Sequence, residues 1–203
     1  MKTSTLVKKK IETYNPKGGL AYTAKFFLTL AEVNHESTKD HVERVALLAE
    51  SVAKQMKKDT KATFFAGLLH DVGKIILPPE LFDGHNISTE EYSRVKTHAI
   101  AGFKALKKLH QFTALCAGFH HNLYQAGYGI GAHEFPSNWS TLTIKKVLDI
   151  SVIISICDFV DAFTHRKTQI KDGSDSQSSS LKDMLYQKYP NDHFVIDIVL
   201  EKI

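Results

Sequence analysis

No stretch of this 203-residue chain holds the roughly 18–20 consecutive apolar residues that a membrane span requires. The opening MKTSTLVKKKIETYN is basic but lacks the apolar core of a secretory signal, so the expected location is the cytoplasm, with no membrane partner. Cysteine is scarce: Cys116 and Cys157, both in apolar helical contexts, are too few for a disulfide framework and are expected as buried, reduced thiols rather than nucleophiles. Charge of one sign is lacking too. The 26 Lys and Arg against 22 Asp and Glu leave a net +4, with acids scattered among the lysines. That balance accommodates a small anionic ligand and gives no reason to expect polymeric nucleic acid. Strand-period alternation never runs beyond a few residues, and there is no internal repeat, which leaves an all-α fold as the expectation. At 43% hydrophobic and 24% charged, the chain has the composition of one well-packed soluble domain.

What is present is helical periodicity and histidine, eleven of them. Ser37 and Asp40 read as a capping box ahead of DHVERVALLAESVAKQM, where His41, Val45, Leu48 and Val52 share one face, turning His41 inward while His35 and Glu36 fall out of phase. A second helix is predicted over 60–71, ending in His70 and Asp71, with Gly73 breaking it and Pro78-Pro79 opening a loop. Ser88 and Glu91 form another capping box, starting a helix over 89–109 that carries His98, with Gly102 leaving space one turn on. A short helix over 111–121 ends in FHHN, so His120 and His121 sit at its terminus, before the glycine-punctuated loop YQAGYGIGAHEFPSN. TIKKVLDISVIISICDFVDAFTHR is apolar on nearly every side, as a central helix would be, and carries Asp158. The serine-rich stretch at 172–180 is expected to be a mobile loop, followed by short helices over 181–189 and 192–202.

The polar residues this pattern buries are His41, His70, Asp71, His98, His120, His121 and Asp158, all of them metal-ligand types. A buried, unpaired charge must find a partner, shift its pKa or bind a metal. One histidine on a helix edge is more often a hydrogen-bonded core residue than a ligand, but that explanation is strained for the whole set. Five imidazoles and two carboxylates are enough for two divalent ions sharing a bridging carboxylate, with positions open for water and substrate. Such a donor set suits iron or manganese better than magnesium.

The order His…His-Asp…His…His-His…Asp, carried by LLHDVGKIILP, KTHAIAGFKAL, FHHNLYQAGYG and ICDFVDAFT from about Thr38 to Thr164, resembles the HD superfamily of metal-dependent phosphohydrolases, and most closely its HD-GYP branch. The resemblance implies an HD-domain helical bundle with a buried binuclear metal site, hydrolysing a cyclic dinucleotide (cyclic di-GMP or a relative) by a metal-bridging hydroxide. It implies that His41, His70, Asp71, His98, His120, His121 and Asp158 are the ligands, that Asp71 bridges, and that Lys74 acts with it by touching a substrate phosphate. Tyr128 would shape the nucleotide pocket. Arg166 and Lys167, after the Asp158 helix, are further phosphate-contact candidates ranked below Lys74.

The chain departs from the branch in its loop. Where many members read HHE…DGxGYP, Asn122 replaces the acid, Gln125 and Ala126 stand for Asp-Gly, and Gly129 replaces proline, which bears on the substrate. Three-metal members carry a glutamate one turn before the first histidine; here Ser37, read as a helix cap, occupies that position, so two ions are expected. Residues 1–36 lie outside the resemblance, as an N-terminal helical extension that either forms a hairpin over the core or is the remnant of a link to a sensory domain; 37–203 would be the HD/HD-GYP-like domain. Two alternatives stand beside the phosphodiesterase: another nucleotide phosphohydrolase or a di-iron oxygenase of the superfamily, and a non-catalytic nucleotide-sensing or docking module with 172–180 contacting a signalling-protein partner. Complete ligands count against the module, and Lys74 with the G-Y loop favours phosphate over oxygen chemistry.

Overall fold

Apolar residues recurring at three- and four-residue steps fold the chain into helices, and in the computed structural model, which describes residues 2–15, 17–82, 86–124, 126–165 and 180–203, no strand occurs among the described residues. The axis of the molecule is α7 (Thr141–His165), the helix expected to be buried all round. Ile150, Ile153, Ile154, Ile156, Cys157 and Val160 are buried on every side of it, because other helices pack against more than one of its faces. Each fully buried isoleucine contributes about 1.5–3 kcal/mol of hydrophobic stabilisation. These helices are α3 (Glu36–Gln55), α4 (Thr60–Leu69), α6 (Gln111–Phe119) and, at the C-terminal end of the chain, α9 (His193–Leu200). α5 (Thr89–Leu106) lies on α6 and on a 3₁₀ turn, Val72–Ile76, that follows the His70-Asp71 pair.

That turn is where the backbone comes closest. A Cβ on Gly73 would sit 2.0 Å from the carbonyl oxygen of His98, so only glycine lets the segment after Asp71 press against α5. The contact brings Asp71 and His98 together, although they are 27 positions apart in sequence. Gly102, one turn along α5, faces the same turn and so serves this close approach more than it makes room for the histidine.

α1 (Thr3–Tyr14) and α2 (Gly19–Asn34) form a hairpin that shares its apolar residues, Val7, Ile11, Phe27 and Leu28 among them, with the same core. Lys10, at 2.7 Å, and the Tyr14 hydroxyl both bond Glu50 of α3. α8 (Leu181–Lys188) starts at a Ser180–Asp183 capping box, and Tyr189 just after it is buried with its hydroxyl on Ser155 of α7. Both cysteines are free and buried, as expected, and burial pushes the Cys116 thiol up to about 12. No described helix is long and apolar enough to cross a membrane.

The Ser88–Glu91 capping box forms as predicted. The one at Ser37 does not. α2 runs to Asn34 and a single residue, His35, separates it from α3, so the start of α3 is fixed by the end of α2. Ser37 then falls inside the first turn, and its hydroxyl donates to the Phe82 carbonyl at 3.3 Å. His35, non-helical at φ −144°, escapes the helical phase that would have pointed it outward and is buried against Phe82. The helices predicted over 60–71, 89–109 and 111–121 end at Leu69, Leu106 and Phe119. Of the segment expected to be a loop at 172–180, residues 172–179 lie outside the described residues, as do Arg166 and Lys167.

Candidate metal centre

Two helices end in the same way. His70 and His120 each follow the last residue of a helix, and each imidazole turns back so that Nδ1–H donates to the carbonyl three residues earlier: Gly67 for His70 and Ala117 for His120, both at 2.7 Å. These bonds satisfy carbonyls that a helix end leaves without partners. They also fix the tautomer, because a carbonyl can only accept. With the proton on Nδ1, Nε2 presents a bare lone pair to the interior. His98 does the same within α5 through the Val95 carbonyl at 2.6 Å.

His41 is tied at Nδ1 by another route. Its Nδ1–H donates to Asp161 Oδ2 at 2.7 Å, and Asp161 is itself held by Arg44, Nε to Oδ1 at 2.7 Å and Nη2 to Oδ2 at 2.9 Å. The fifth imidazole, His121, has the Tyr124 hydroxyl on its Nδ1 at 3.2 Å. All five rings are thus tied on one side and open on the other.

The open sides converge on Asp71. Its Oδ1 lies 3.1 Å from Nε2 of His98 and 3.9 Å from that of His120; its Oδ2 lies 3.4 Å from Nε2 of His41 and 3.3 Å from that of His70. Asp158 completes the ring, Oδ1 at 3.1 Å from His41 Nε2 and Oδ2 at 3.8 Å from His121 Nε2. Lys74 Nζ sits 2.5 Å from Asp71 Oδ2, close as an ion pair but poorly aligned as a hydrogen bond. The structure therefore brings together all seven sequence-predicted ligands and Lys74. Tyr128 is there too, its ring 4.5 Å from His121 and 6.1 Å from His98.

Four buried atoms at this centre, His41 Nε2, His70 Nε2 and both oxygens of Asp71, have no hydrogen-bond partner. The Nε2 atoms of His98 and His120 face one another at 3.3 Å, two lone pairs that repel unless something positive lies between them. Orphaned acceptors at this density are rare in a folded protein, and they are the donors that divalent cations take. The residues fit a metal. Three overlapping groups have ligand atoms close enough to hold an ion: His98, His120 and His121; His41, His70 and Asp71; and His70, His120 and Asp158.

The electrostatics agree. Burial works to raise the Asp71 and Asp158 carboxyls, but for Asp71 the neighbouring His70 and Lys74, and for Asp158 the neighbouring His41 and His121, overcome it and hold both well below the usual range. Burial, with neighbouring imidazoles, holds His120 well below its ordinary value, and burial brings His121 to about 3, so both stay neutral and able to ligate. His41 is the exception: burial disfavours its charge, yet Asp158, Asp161 and Asp71 outweigh it and raise that ring to about 10, so a metal ion would have to displace a proton from its Nε2.

Above the ligands lies a cavity of about 1130 Å³. His41, His98, His121 and Asp158 form its floor, with His70, Asp71 and His120 buried beneath. Tyr92, Tyr124, Tyr128, Phe82 and Phe159 contribute aromatic walls.

The altered loop has a local explanation. Gly129 takes φ +130°, which proline, fixed near −65°, cannot adopt, and a Cβ there would lie 2.2 Å from the Gly118 carbonyl oxygen. The Asn122 amide donates to the carbonyl of Ile130, a bond that a carboxylate at 122 could not make.

Sequence reading missed Asp161, Arg44, Tyr124 and Lys188. The first two were within reach: Arg44 is three residues after His41 and Asp161 three after Asp158, so each shares a helix face with a ligand. Burial opposes the Asp161 charge, but His41 and Arg44 bring its pKa down to about 2, so it stays an acceptor at any ordinary pH. Asp161→Asn is expected to leave the fold intact and to weaken metal affinity roughly 10–100-fold by releasing the His41 ring; competition with a chelator of known affinity reads this, and unchanged affinity would show that His41 does not need it.

The HD domain family profile matches residues 38–163. A cyclic di-GMP phosphodiesterase of Thermotoga maritima is 29% identical over 147 residues, covering 68% of this chain and 37% of that protein. A 3'3'-cGAMP-specific phosphodiesterase 1 of Vibrio cholerae is 26% identical over 155 residues, covering 71% and 33%. The chain thus spans about a third of the length of these curated relatives. Among solved structures, the HD domain of the L. monocytogenes phosphodiesterase PgpH, also solved in complex with cyclic-di-AMP, superposes with a TM-score of 0.52 at 18% identity, covering 87% of this chain and 83% of that one. That likeness establishes the helical fold.

Proposed function

The chain belongs to the HD domain family, and we propose that within it this protein is a metal-dependent phosphodiesterase that hydrolyses a cyclic dinucleotide, cyclic di-GMP or a relative of it. The environment of Asp71 carries this reading: each of its oxygens faces its own pair of imidazole lone pairs, at the floor of a cavity large enough for a dinucleotide. His41, His70 and Asp158 would hold one ion with Asp71, and His98, His120 and His121 the other, iron or manganese by the nature of the donors. A pair of ions held this way supplies an activated water near neutral pH and neutralises charge on the phosphodiester.

The chain's own residues do the rest. Lys74, buried and paired to Asp71, offers a compact charge to a non-bridging phosphate oxygen. The Phe82 ring, 5.2 Å from its Nζ, limits where that charge can go. Tyr128 lies over His121 and walls the cavity beside the reacting phosphate. In this reading the enzyme works in the cytoplasm, with residues 1–36 as a helical extension of a domain over 37–203.

Iron- or manganese-loaded protein incubated with a panel of cyclic and linear nucleotides, with products separated by chromatography, tests the proposal. Slow cleavage of cyclic di-GMP with a high KM is expected, and equal or faster cleavage of another cyclic dinucleotide, because the altered loop changes the fit more than the chemistry. Tyr128→Ala should raise KM roughly tenfold with a smaller loss in kcat, whereas Lys74→Ala should lower kcat roughly 100–1000-fold. Tight nucleotide binding without turnover by the fully loaded protein would instead make it a sensor.

A further inference from the structure

Lys188, the last residue of α8, lines the same cavity as the candidate metal ligands. Its ammonium lies 4.0 Å from the centroid of Tyr124, 4.4 Å from Phe159 and 6.0 Å from Tyr189. Other lysines in the structure, such as Lys10, Lys58, Lys146 and Lys182, are paired with carboxylates; Lys188 has no such partner among the described residues. Burial disfavours its charge more than the Asp158 carboxylate, beyond ion-pairing distance, favours it, and the three ring faces recover only part of the hydration it has lost. An anion would recover the rest.

The position says which anion. The hydroxyl of Tyr124 is bonded to His121, and the face of that same ring carries Lys188, so the lysine stands one aromatic ring away from the metal centre. Lys74 supplies a cation at the floor, on Asp71. A cyclic dinucleotide carries two phosphodiesters in one covalent ring, and while the first lies over the ligands the second must lie off to the side. We infer that Lys188 binds the second phosphodiester, the one not being cut, and so selects dinucleotides that carry both. The inference rests on the cyclic-dinucleotide reading above and adds to it a residue outside the span, 38–163, that the family profile matches.

The test compares substrates with one and two phosphodiesters. Lys188→Met keeps the apolar stem against the rings and removes the charge. For cyclic di-GMP and 3'3'-cGAMP its KM is expected to rise roughly 10–100-fold, the range of a lost charge-assisted hydrogen bond, with kcat within about twofold of wild type. Both constants for bis(4-nitrophenyl) phosphate, which has one phosphodiester, should stay unchanged, and Lys188→Arg should restore most of the KM. Equal losses on all three substrates would mean that Lys188 only supports the Tyr124 wall, and an unchanged KM for the dinucleotides would mean that it binds no phosphate; either result overturns the inference alone. If wild-type enzyme cleaves bis(4-nitrophenyl) phosphate and neither dinucleotide, the substrate reading fails first and this inference falls with it.

Discussion

Asp71→Ala is expected to strip the centre of metal, whereas Asp158→Ala should leave one ion in place. Asp71 offers a separate oxygen to each pair of imidazoles, so under the proposed assignment its loss would remove a donor from both ions; Asp158, facing His41 at 3.1 Å and His121 at 3.8 Å, would belong with the His41 and His70 ion. Elemental analysis after anaerobic loading should give fewer than about one ion per chain for Asp71→Ala and about one for Asp158→Ala. Phosphodiesterase activity should fall more than roughly 1000-fold in the first. Asp71→Ala also leaves Lys74, 7% exposed, without its counter-charge, and removing one partner of a buried pair costs about 3–5 kcal/mol. Asp71→Asn removes the same charge but keeps the shape and an acceptor oxygen for Lys74: its metal content should fall as far, with a smaller loss of melting temperature. Full and equal occupancy in all three variants would show that Asp71 is no bridge.

The second large effect is thermal. Without ions the fold carries His41 Nε2, His70 Nε2 and both Asp71 oxygens buried without a hydrogen bond, with only the Lys74 ion pair at Asp71 Oδ2 set against the water they have lost. An ion that binds only the folded chain, present at about 1000 times its dissociation constant, contributes about 4 kcal/mol. In a chain of this size each kcal/mol moves the melting temperature by about 2–4 °C, so one site filled with manganese or iron should raise it by about 8–16 °C over protein in excess chelator. Calorimetry of the two samples reads the shift directly. Coincident melting curves would mean that the centre does not hold these metals.

Where a helix's own sequence determined its burial, the sequence was legible. The apolar middle of α7, residues 150–160, is buried nearly all round, and the Ser88–Glu91 box starts α5 because both partners lie within one turn. The ligands could be read for the same reason, since histidines and acids at helix ends or on inward faces have few other ways to be satisfied. What could not be read depends on neighbours far away in sequence. Ser37 lost its cap because α2 ends one residue before α3, which local spacing does not encode. The helix faces of Arg44 and Asp161 were within reach, but their meeting at His41 crosses from α3 to α7, and Lys188 reaches the cavity only because α8 folds back beside Tyr124. Both were visible as residue types and invisible as contacts.

The loop between His121 and Ile130 also bears on how decay of a motif is counted. Set against the HHE…DGxGYP pattern of the branch it resembles, the segment has Asn122 for the acid, Gln125 and Ala126 for Asp-Gly and Gly129 for proline, and the first and last look like two unrelated departures. The backbone makes them one. Gly129's positive φ excludes proline, and Asn122 pins the next carbonyl along, so each residue suits the path that the other takes. Grafting proline back alone would break the loop, because the backbone at 129 cannot accept it. Tyr128, standing between the two substitutions, still reaches His121. A chain can therefore rewrite the letters of a signature in a coordinated way while keeping the one side chain that the signature delivers.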